Sequence, residues 1–427
     1  MSRRMLETRA EPFKFCDMPP PPPTRHTPHA TIVGVVVNAV GGYSRGVLRG
    51  VASFAAARAW TLRVEGVNEQ TINPLTPNKW SGFLVQLAGP AEVKQFARCR
   101  LPLVNVSSSL THSGLPTVIT DDAAVGRLGA DHLLRLGYRT LVFHAPDARA
   151  FATSRFNGFT LRARELGLTP TLSSNDSQLA HLLKTLPPPL AVMGCNDRAA
   201  LAVLDACRAG GRKVPDEVAV IGVDDDDLVQ ALAYPPLSTV NTARERVGFE
   251  AAAMLERLMV AHAGRGGGGR SSGGGGGGVG GGGGVGGGGG DHPKPLARTI
   301  LVPPKGVVAR RSTDATAIPD PDVAEAARYI HAHAGQPIAV ADVARAATVS
   351  RRQLERRFKS ALGRSILNEI TRCRVDRARQ LLIDTQLTLE QVALASGFTS
   401  ASYFSVVFKR HAAATPQNYR ESFQLAR

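Results

Sequence analysis

A chain of 427 residues exceeds what one hydrophobic core usually organises, so two or more domains are expected. A formal net charge of +16 calls for a polyanionic partner, either nucleic acid or an anionic membrane surface. Five cysteines, Cys16, Cys99, Cys195, Cys207 and Cys373, show no C-x-x-C pairing, which argues against a disulfide framework or a zinc site and suits a reducing cytoplasm.

Residues 1–29 are polar and proline-rich, with a run from Pro19 to Pro23, and this composition predicts a disordered tail. The tail has no apolar stretch long enough for a signal peptide, and no other window approaches a membrane span. A soluble cytoplasmic protein without a membrane partner is therefore expected. From residue 30 to 311, short β-branched runs alternate with longer stretches of helical periodicity, the pattern of parallel strands joined by crossover helices. Strands are expected at 31–38, 61–65, 82–86, 102–106, 117–120, 140–144, 190–193 and 217–223. The nearly continuous apolar runs TIVGVVV, TLVFH and VAVIGV predict strands buried on both faces, and hence an α/β domain.

Residues 264–290 are almost pure glycine and cannot bury enough apolar area to offset the entropy of ordering them, so a flexible loop is predicted. Beyond it, TILVPPKGVVARRS reads as the last strand of the same domain, which makes the tract an insertion in that domain. The linker is placed at 312–322, polar and punctuated by Pro319 and Pro321. Residues 323–427 read as consecutive short amphipathic helices with no strand, a separate all-α domain.

That final domain repeats one pattern, IAVADVARAATVSRRQLERRFKSALG and then LTLEQVALASGFTSASYFSVVFKRHAAATP. Each copy has a short helix with a small residue facing its partner (Ala344, Ala393), a tight turn, and a second helix carrying Phe-Lys. This is the layout of a helix-turn-helix. Gly397 suits a left-handed turn position, and Ser350 and Ser400 suit helix N-caps. On a helix over 350–363, Leu354, Phe358 and Ala361 form the inward stripe, while Arg352, Glu355, Arg356 and Lys359 share another face. A cationic face of this kind fits the DNA major groove, where Arg bonds guanine O6 and N7 together.

The motif A-x5-S-x3-L-x-R-x-F-K, present as Ala344, Ser350, Leu354, Arg356, Phe358 and Lys359, resembles the AraC-type transcription regulators. The second copy carries the same likeness through Ala393, Gly397-Phe398, Tyr403-Phe404, Phe408-Lys409 and Thr415-Pro416. The resemblance implies two helix-turn-helix units joined by a rigid helix, here around residues 372–383, entering successive major grooves of double-stranded operator DNA. It assigns DNA contacts to Arg351, Arg352, Glu355, Arg356 and Lys359 in the first unit and to Ser402, Ser405, Lys409 and Arg410 in the second. The first helix is expected to supply most base discrimination and the second mainly phosphate contacts through Lys409 and Arg410.

The α/β domain resembles the two-lobed, periplasmic-binding-protein-like sensor of LacI/GalR regulators. The likeness rests on TDDAAVGRLGADHLLRLGYRTLVF, RFNGFTLRARELG, GCNDRAALAVLDACRAGGRKVPDEVAVIGVDDDD, PPLSTV and ILVPPKGVVARRS. In that fold two lobes close over a ligand at the carboxyl ends of strands. Polar residues do cluster just after expected strands: Asn38, Asp121-Asp122, Asn196-Asp197 and Asp224-Asp225. Carried over, Arg155, Asn196 and Asp224 match residues that hydrogen-bond sugar hydroxyls, with Asp122, Asn38 and Tyr43 added from the first lobe. Asp197 is expected to cap a helix beginning at Arg198.

A sensor core ahead of AraC-type helices is an order that resembles the xylose-responsive regulators. It implies a homodimeric transcription regulator, an activator that works with RNA polymerase, whose sugar effector, with xylose the first candidate, closes the lobes and controls DNA binding. No poised nucleophile, metal cluster or phosphate loop is evident, so neither an enzyme nor a cofactor is expected. A DNA-binding protein whose α/β part senses a non-sugar ligand, or none, stays open at this level.

Overall fold

The computed structural model describes residues 31–38, 40–65, 80–97, 99–266, 298–315, 317–412 and 414–423. The predicted tail at 1–29 and most of the glycine tract lie outside them. In chain order the elements begin with β1 (Ile32–Val36), α1 (Gly42–Arg58), β2 (Thr61–Glu65), β3 (Trp80–Val85), α2 (Pro90–Phe96), β4 (Leu103–Asn105) and β5 (Thr117–Thr120). They continue with α3 (Asp122–Arg135), β6 (Thr140–His144), α4 (Ala150–Arg164), β7 (Thr171–Ser173), α5 (Asp176–Thr185), β8 (Leu190–Gly194), α6 (Asp197–Ala209) and β9 (Val218–Val223). Then come α7 (Asp227–Leu232), β10 (Ser238–Asn241), α8 (Arg244–Gly266), β11 (Thr299–Val302) and β12 (Gly306–Val308).

These elements make two six-stranded sheets, ordered β11-β5-β4-β3-β1-β2 and β12-β10-β9-β8-β6-β7. All pairings are parallel except β10 with β12. The eight predicted strands are present, and β8 and β9 are buried along their whole length, as apolar runs between two helical layers must be. One expectation is corrected. The segment after the glycine tract is not a single last strand: it splits at Pro303-Pro304 into β11, which completes the first sheet, and β12, which closes the second.

The chain crosses between the lobes after β5, after β10 and between β11 and β12. The crossings are bonded side by side: Asp121 N donates to Val302 O at 2.8 Å, Lys305 N to Asn241 O at 2.9 Å, and Thr120 Oγ1 to Thr242 O at 3.0 Å. After a 3-10 turn at Arg311–Thr313 the helices α9 (Pro321–His333), α10 (Val340–Ala346), α11 (Arg351–Leu362), α12 (Ile366–Asp384), α13 (Leu389–Ala395), α14 (Ala401–Ala412) and α15 (Pro416–Phe423) follow. Ser312 and Thr313 are fully or nearly buried against the second lobe, Ser312 Oγ donating to Val220 O at 2.6 Å, so the start of the expected linker is fixed to the sheet.

The helical domain has two small cores. One holds Val323, Ile330, Val343, Leu354, Phe358 and Ile370; the other holds Val375, Leu382, Val392, Phe404, Val407 and Phe408. Helix α12 contributes to both, which is why it runs unbroken between the units and is longer than the stretch expected from sequence.

Candidate functional site

Residues that follow the carboxyl ends of strands in the two lobes meet in a polar cluster between the lobes. Its centre is Arg155, on α4, whose side chain is 4% exposed. Its Nε donates to Asp122 Oδ1 at 2.7 Å, its Nη1 donates to Cys195 O at 2.6 Å, and Nη2 lies 3.8 Å from Asp224 Oδ1. The guanidinium also stacks over the Phe151 ring at 4.9 Å, one helical turn away on the same helix. Helices α3 and α4 cross closely enough to set this geometry because Gly126 and Gly158 face them: a Cβ on Gly126 would lie 1.8 Å from the Arg155 carbonyl oxygen.

Burial alone would push Arg155 down, but Asp122 and Asp224 beside it hold it firmly in the charged form. Burial pushes the Asp224 carboxyl up, against the pull of Arg155 and Arg244. Asp224 and Asp225 both have positive φ, 109° and 57°, conformations that non-glycine residues adopt only when the surroundings over-determine them. Those surroundings are visible. Arg244 donates to the carbonyls of Asp224 and Asp225, Asp225 N donates to Thr239 Oγ1 at 3.2 Å, and Arg310 pairs with Asp225 at 2.8 Å. The next two carboxylates point across the cleft, where Asp226 and Asp227 pair with Arg45 of α1 and Asp227 also pairs with Arg49.

Of the expected ligand residues, the fold brings Asp122, Arg155, Asp224 and Tyr43 together. Tyr43 donates from its hydroxyl to Val106 O at 3.2 Å, and burial with the nearby Asp122 pushes its ionisation well up. Asn196 sits beside Cys195 and is the N-cap of α6, its side-chain oxygen accepting from Ala199 N at 2.8 Å. That corrects the assignment of the cap to Asp197, which instead opens the helix and accepts from Thr239 Oγ1 at 2.6 Å and Asp226 N at 2.7 Å. Asn38 is exposed beyond the end of β1, where its side-chain oxygen accepts from Val40 N at 3.2 Å and closes a local turn. Sequence reasoning missed Arg45, Arg244, Arg310 and Phe151; only Phe151, one turn before Arg155, left a readable signal.

In the helical domain both helix-turn-helix units form. Ser350 caps α11 through Gln353 N, and Ser400 accepts from Tyr403 N at 3.2 Å. Gly397 has φ 80°, while the equivalent turn position in the first unit is Thr348, at φ 56°. On α11, Leu354, Phe358 and Leu362 are buried; Arg351, Arg352, Arg356 and Lys359 are exposed, with Arg351 Nε 2.9 Å from Glu355. Arg357 is withdrawn from this face, held by Asp320 and Asp322. On α14, Ser402, Lys409 and Arg410 are exposed, and Ser405 turns its hydroxyl back to Ala401 O at 2.9 Å.

The helical domain touches both lobes. Arg135 on α3 lies 3.6 Å from Asp376 on α12, and Arg364 donates to Arg135 O at 3.1 Å. At the other end Phe423 joins the core of the first lobe, under the Arg246 guanidinium at 5.6 Å. Beneath the first contact, Glu369 is 1% exposed and ringed by Arg364, Arg372 and His331. Burial would push its carboxyl up, but these partners hold it well below the usual range. His331, Glu369 and Cys373 bring ligand-type atoms within 4.8 Å of one another, yet the arginines already neutralise Glu369, so the group acts as an ion-pair hub. No described helix is long and apolar enough to cross a membrane.

A periplasmic binding protein-like domain model matches residues 130–270, and a helix-turn-helix domain model matches 343–422. The chain is 29% identical over 409 residues to the xylose operon regulatory protein of Escherichia coli (strain K12), spanning 91% of this chain and 96% of that one. It is 25% identical over 416 residues to the protein of the same name from Haemophilus influenzae, spanning 91% and 97%. Among solved structures, that of a xylose-binding transcription activator is similar with a TM-score of 0.54 and 27% identity, covering 92% of this chain and 98% of that one.

Proposed function

We propose, from a chain that joins a periplasmic-binding-protein-like sensor to an AraC-type helix-turn-helix domain in the order of the xylose operon regulators, a sugar-responsive activator of transcription. Its effector is a sugar bound between the lobes, with xylose the first to test. The observation that carries this reading is the buried cluster of Arg155, Asp122 and Asp224 at the cleft. A cation and two carboxylates held out of water offer donors and acceptors in fixed directions, which a polyol can satisfy and an apolar ligand cannot.

Binding would proceed by exchange. Hydroxyls of the sugar replace part of the network now made among the cleft residues, and the lobes settle around it by bending at the three bonded crossings. Because the helical domain is moored to both lobes, through Arg135 and Asp376 at one end and Phe423 at the other, a change in lobe angle reaches the DNA-binding units. Coupling of this kind is typically worth roughly 1–3 kcal/mol. The domains, with the sensor at 30–311 and the DNA-binding part at 323–427, act as a homodimer on operator DNA and with RNA polymerase, in the cytoplasm.

Calorimetric titration of the full chain with xylose and a panel of pentoses and hexoses, beside Asp224→Ala, tests the reading. Saturable binding of one sugar that disappears in the variant is expected. No heat with any sugar would remove the sugar effector and leave the DNA-binding domain to be explained by another signal.

A further inference from the structure

Placed start to start, the two twelve-residue reading helices α11 and α14 align Arg352 with Ser402, Gln353 with Tyr403, Arg356 with Val406 and Lys359 with Lys409. The inward residues match as well: Leu354 and Phe358 in one, Phe404 and Phe408 in the other, all fully buried. The two helices therefore present equivalent faces of opposite chemistry. Where α11 shows Arg356 and Gln353, α14 shows Val406, 62% exposed, and Tyr403, 54% exposed. Val406 is left in water on a helix whose core positions are already filled by Phe404, Val407 and Phe408, and Tyr403, whose ring meets Phe398 edge-on at 6.1 Å, keeps more than half of its surface in water beside it.

We infer that α14 reads its half-site by apolar contact, with Val406 and Tyr403 seated against thymine 5-methyl groups in the major groove. This rests on the DNA-binding reading above. The thymine methyl is the apolar group that a major groove displays, and it distinguishes T·A from the other pairs without any hydrogen bond. Lys409 and Arg410, exposed on the last turn of α14, supply the phosphate contacts that hold the helix at that depth. Ser405 turns its hydroxyl back to Ala401 O and so does not offer it beside Val406. The operator is then asymmetric in chemistry: guanine-bearing under α11 and thymine-bearing under α14.

The test selects preferred duplexes with the full chain in the presence of xylose, then replaces thymine by uracil in one half-site at a time, which removes only the methyl group. Burying one methyl corresponds to roughly a 3–5-fold change in affinity. Uracil under α14 should weaken binding by that factor per methyl, uracil under α11 should not, and Val406→Ala should shrink the thymine–uracil difference while Val406→Ala with Tyr403→Ala should shrink it further. Val406→Arg, which gives α14 the side chain that α11 carries at Arg356, should shift the selected half-site toward guanine. Specific binding that is indifferent to uracil under α14, or a selected half-site without thymine there, overturns the inference while the DNA-binding reading stands. Absence of any sequence-selective binding overturns both.

Discussion

Arg155 Nε lies 2.7 Å from Asp122 Oδ1, and the two side chains are each only 4% exposed although they sit on different helices. A pair so buried holds because each partner neutralises the other. Removing one leaves a charge stranded, at a cost of about 3–5 kcal/mol. Arg155→Ala should lose that much stability in urea unfolding as well as any effector binding. A loss below about 1 kcal/mol would mean that Asp122 and Asp224 do not depend on it.

Asp197 gives the sensor a pH dependence of definite sign. Burial, with Asp224 nearby, pushes its carboxyl up to about 8 despite the bonds from Thr239 and the Asp226 amide. With the folded value raised above an unfolded value of about 4, the native state holds the extra proton between those limits. Stability from this group is thus complete below about pH 4 and declines as pH rises toward 8, by up to about 1.4 kcal/mol per unit. Asp197→Asn, a mimic of the protonated form, should remove that slope. Parallel stability profiles for the two proteins from pH 4 to 8 would refute it.

Thr348 occupies a left-handed turn position, φ 56°, which the second unit gives to Gly397. A β-branched residue is strained there. Thr348→Gly should raise the melting temperature, with a gain of about 0.5–1 kcal/mol after the larger chain entropy of glycine is deducted. Destabilisation would show that contacts of the Thr348 side chain outweigh the strain.

Arg356 and Lys359 should separate in function. Arg356→Ala is expected to cost about 1–3 kcal/mol on the preferred site and to relax the preference for guanine at one position. Lys359→Ala should weaken all sequences alike and reduce the salt slope by about 1. Binding measured across salt and across single-base variants decides between these patterns.

Arg135→Ala removes a pairing with Asp376 whose carboxylate is 37% exposed, so the electrostatic part of its effect on stability should be under about 1 kcal/mol. The ratio of DNA affinities with and without sugar should nonetheless fall toward one. An unchanged ratio, measured by fluorescence anisotropy, would rule this contact out as a route between sensor and DNA.

Much of this was readable in the chain because long apolar strands and duplicated helices write periodic signals. TLVFH and VAVIGV appear as β6 and β9, and Ser350 and Ser400 cap the helices expected of them. What escaped was short or non-local. Strands β7 and β12 are three residues each, too brief for alternation to show. Arg45 meets Asp226 only because the lobes face each other, and no spacing in sequence announces that contact. The cap at α6 moved by one residue because Asn196 and Asp197 are equally good N-cap types, and only the fold shows that Asp197 turns inward to Thr239.

Helix α12 runs 19 residues without a break, about 28 Å at roughly 1.5 Å per residue. One turn of duplex is about 34 Å. On the proposed DNA-binding reading, a stiff strut of that reach, fastened into the cores of both units, would work as a ruler, fixing how many base pairs part the two half-sites and on which side of the duplex they lie. Moving them apart by half a turn would put one beyond reach, whatever its bases. Operator spacing is therefore set by an element that need not touch a base.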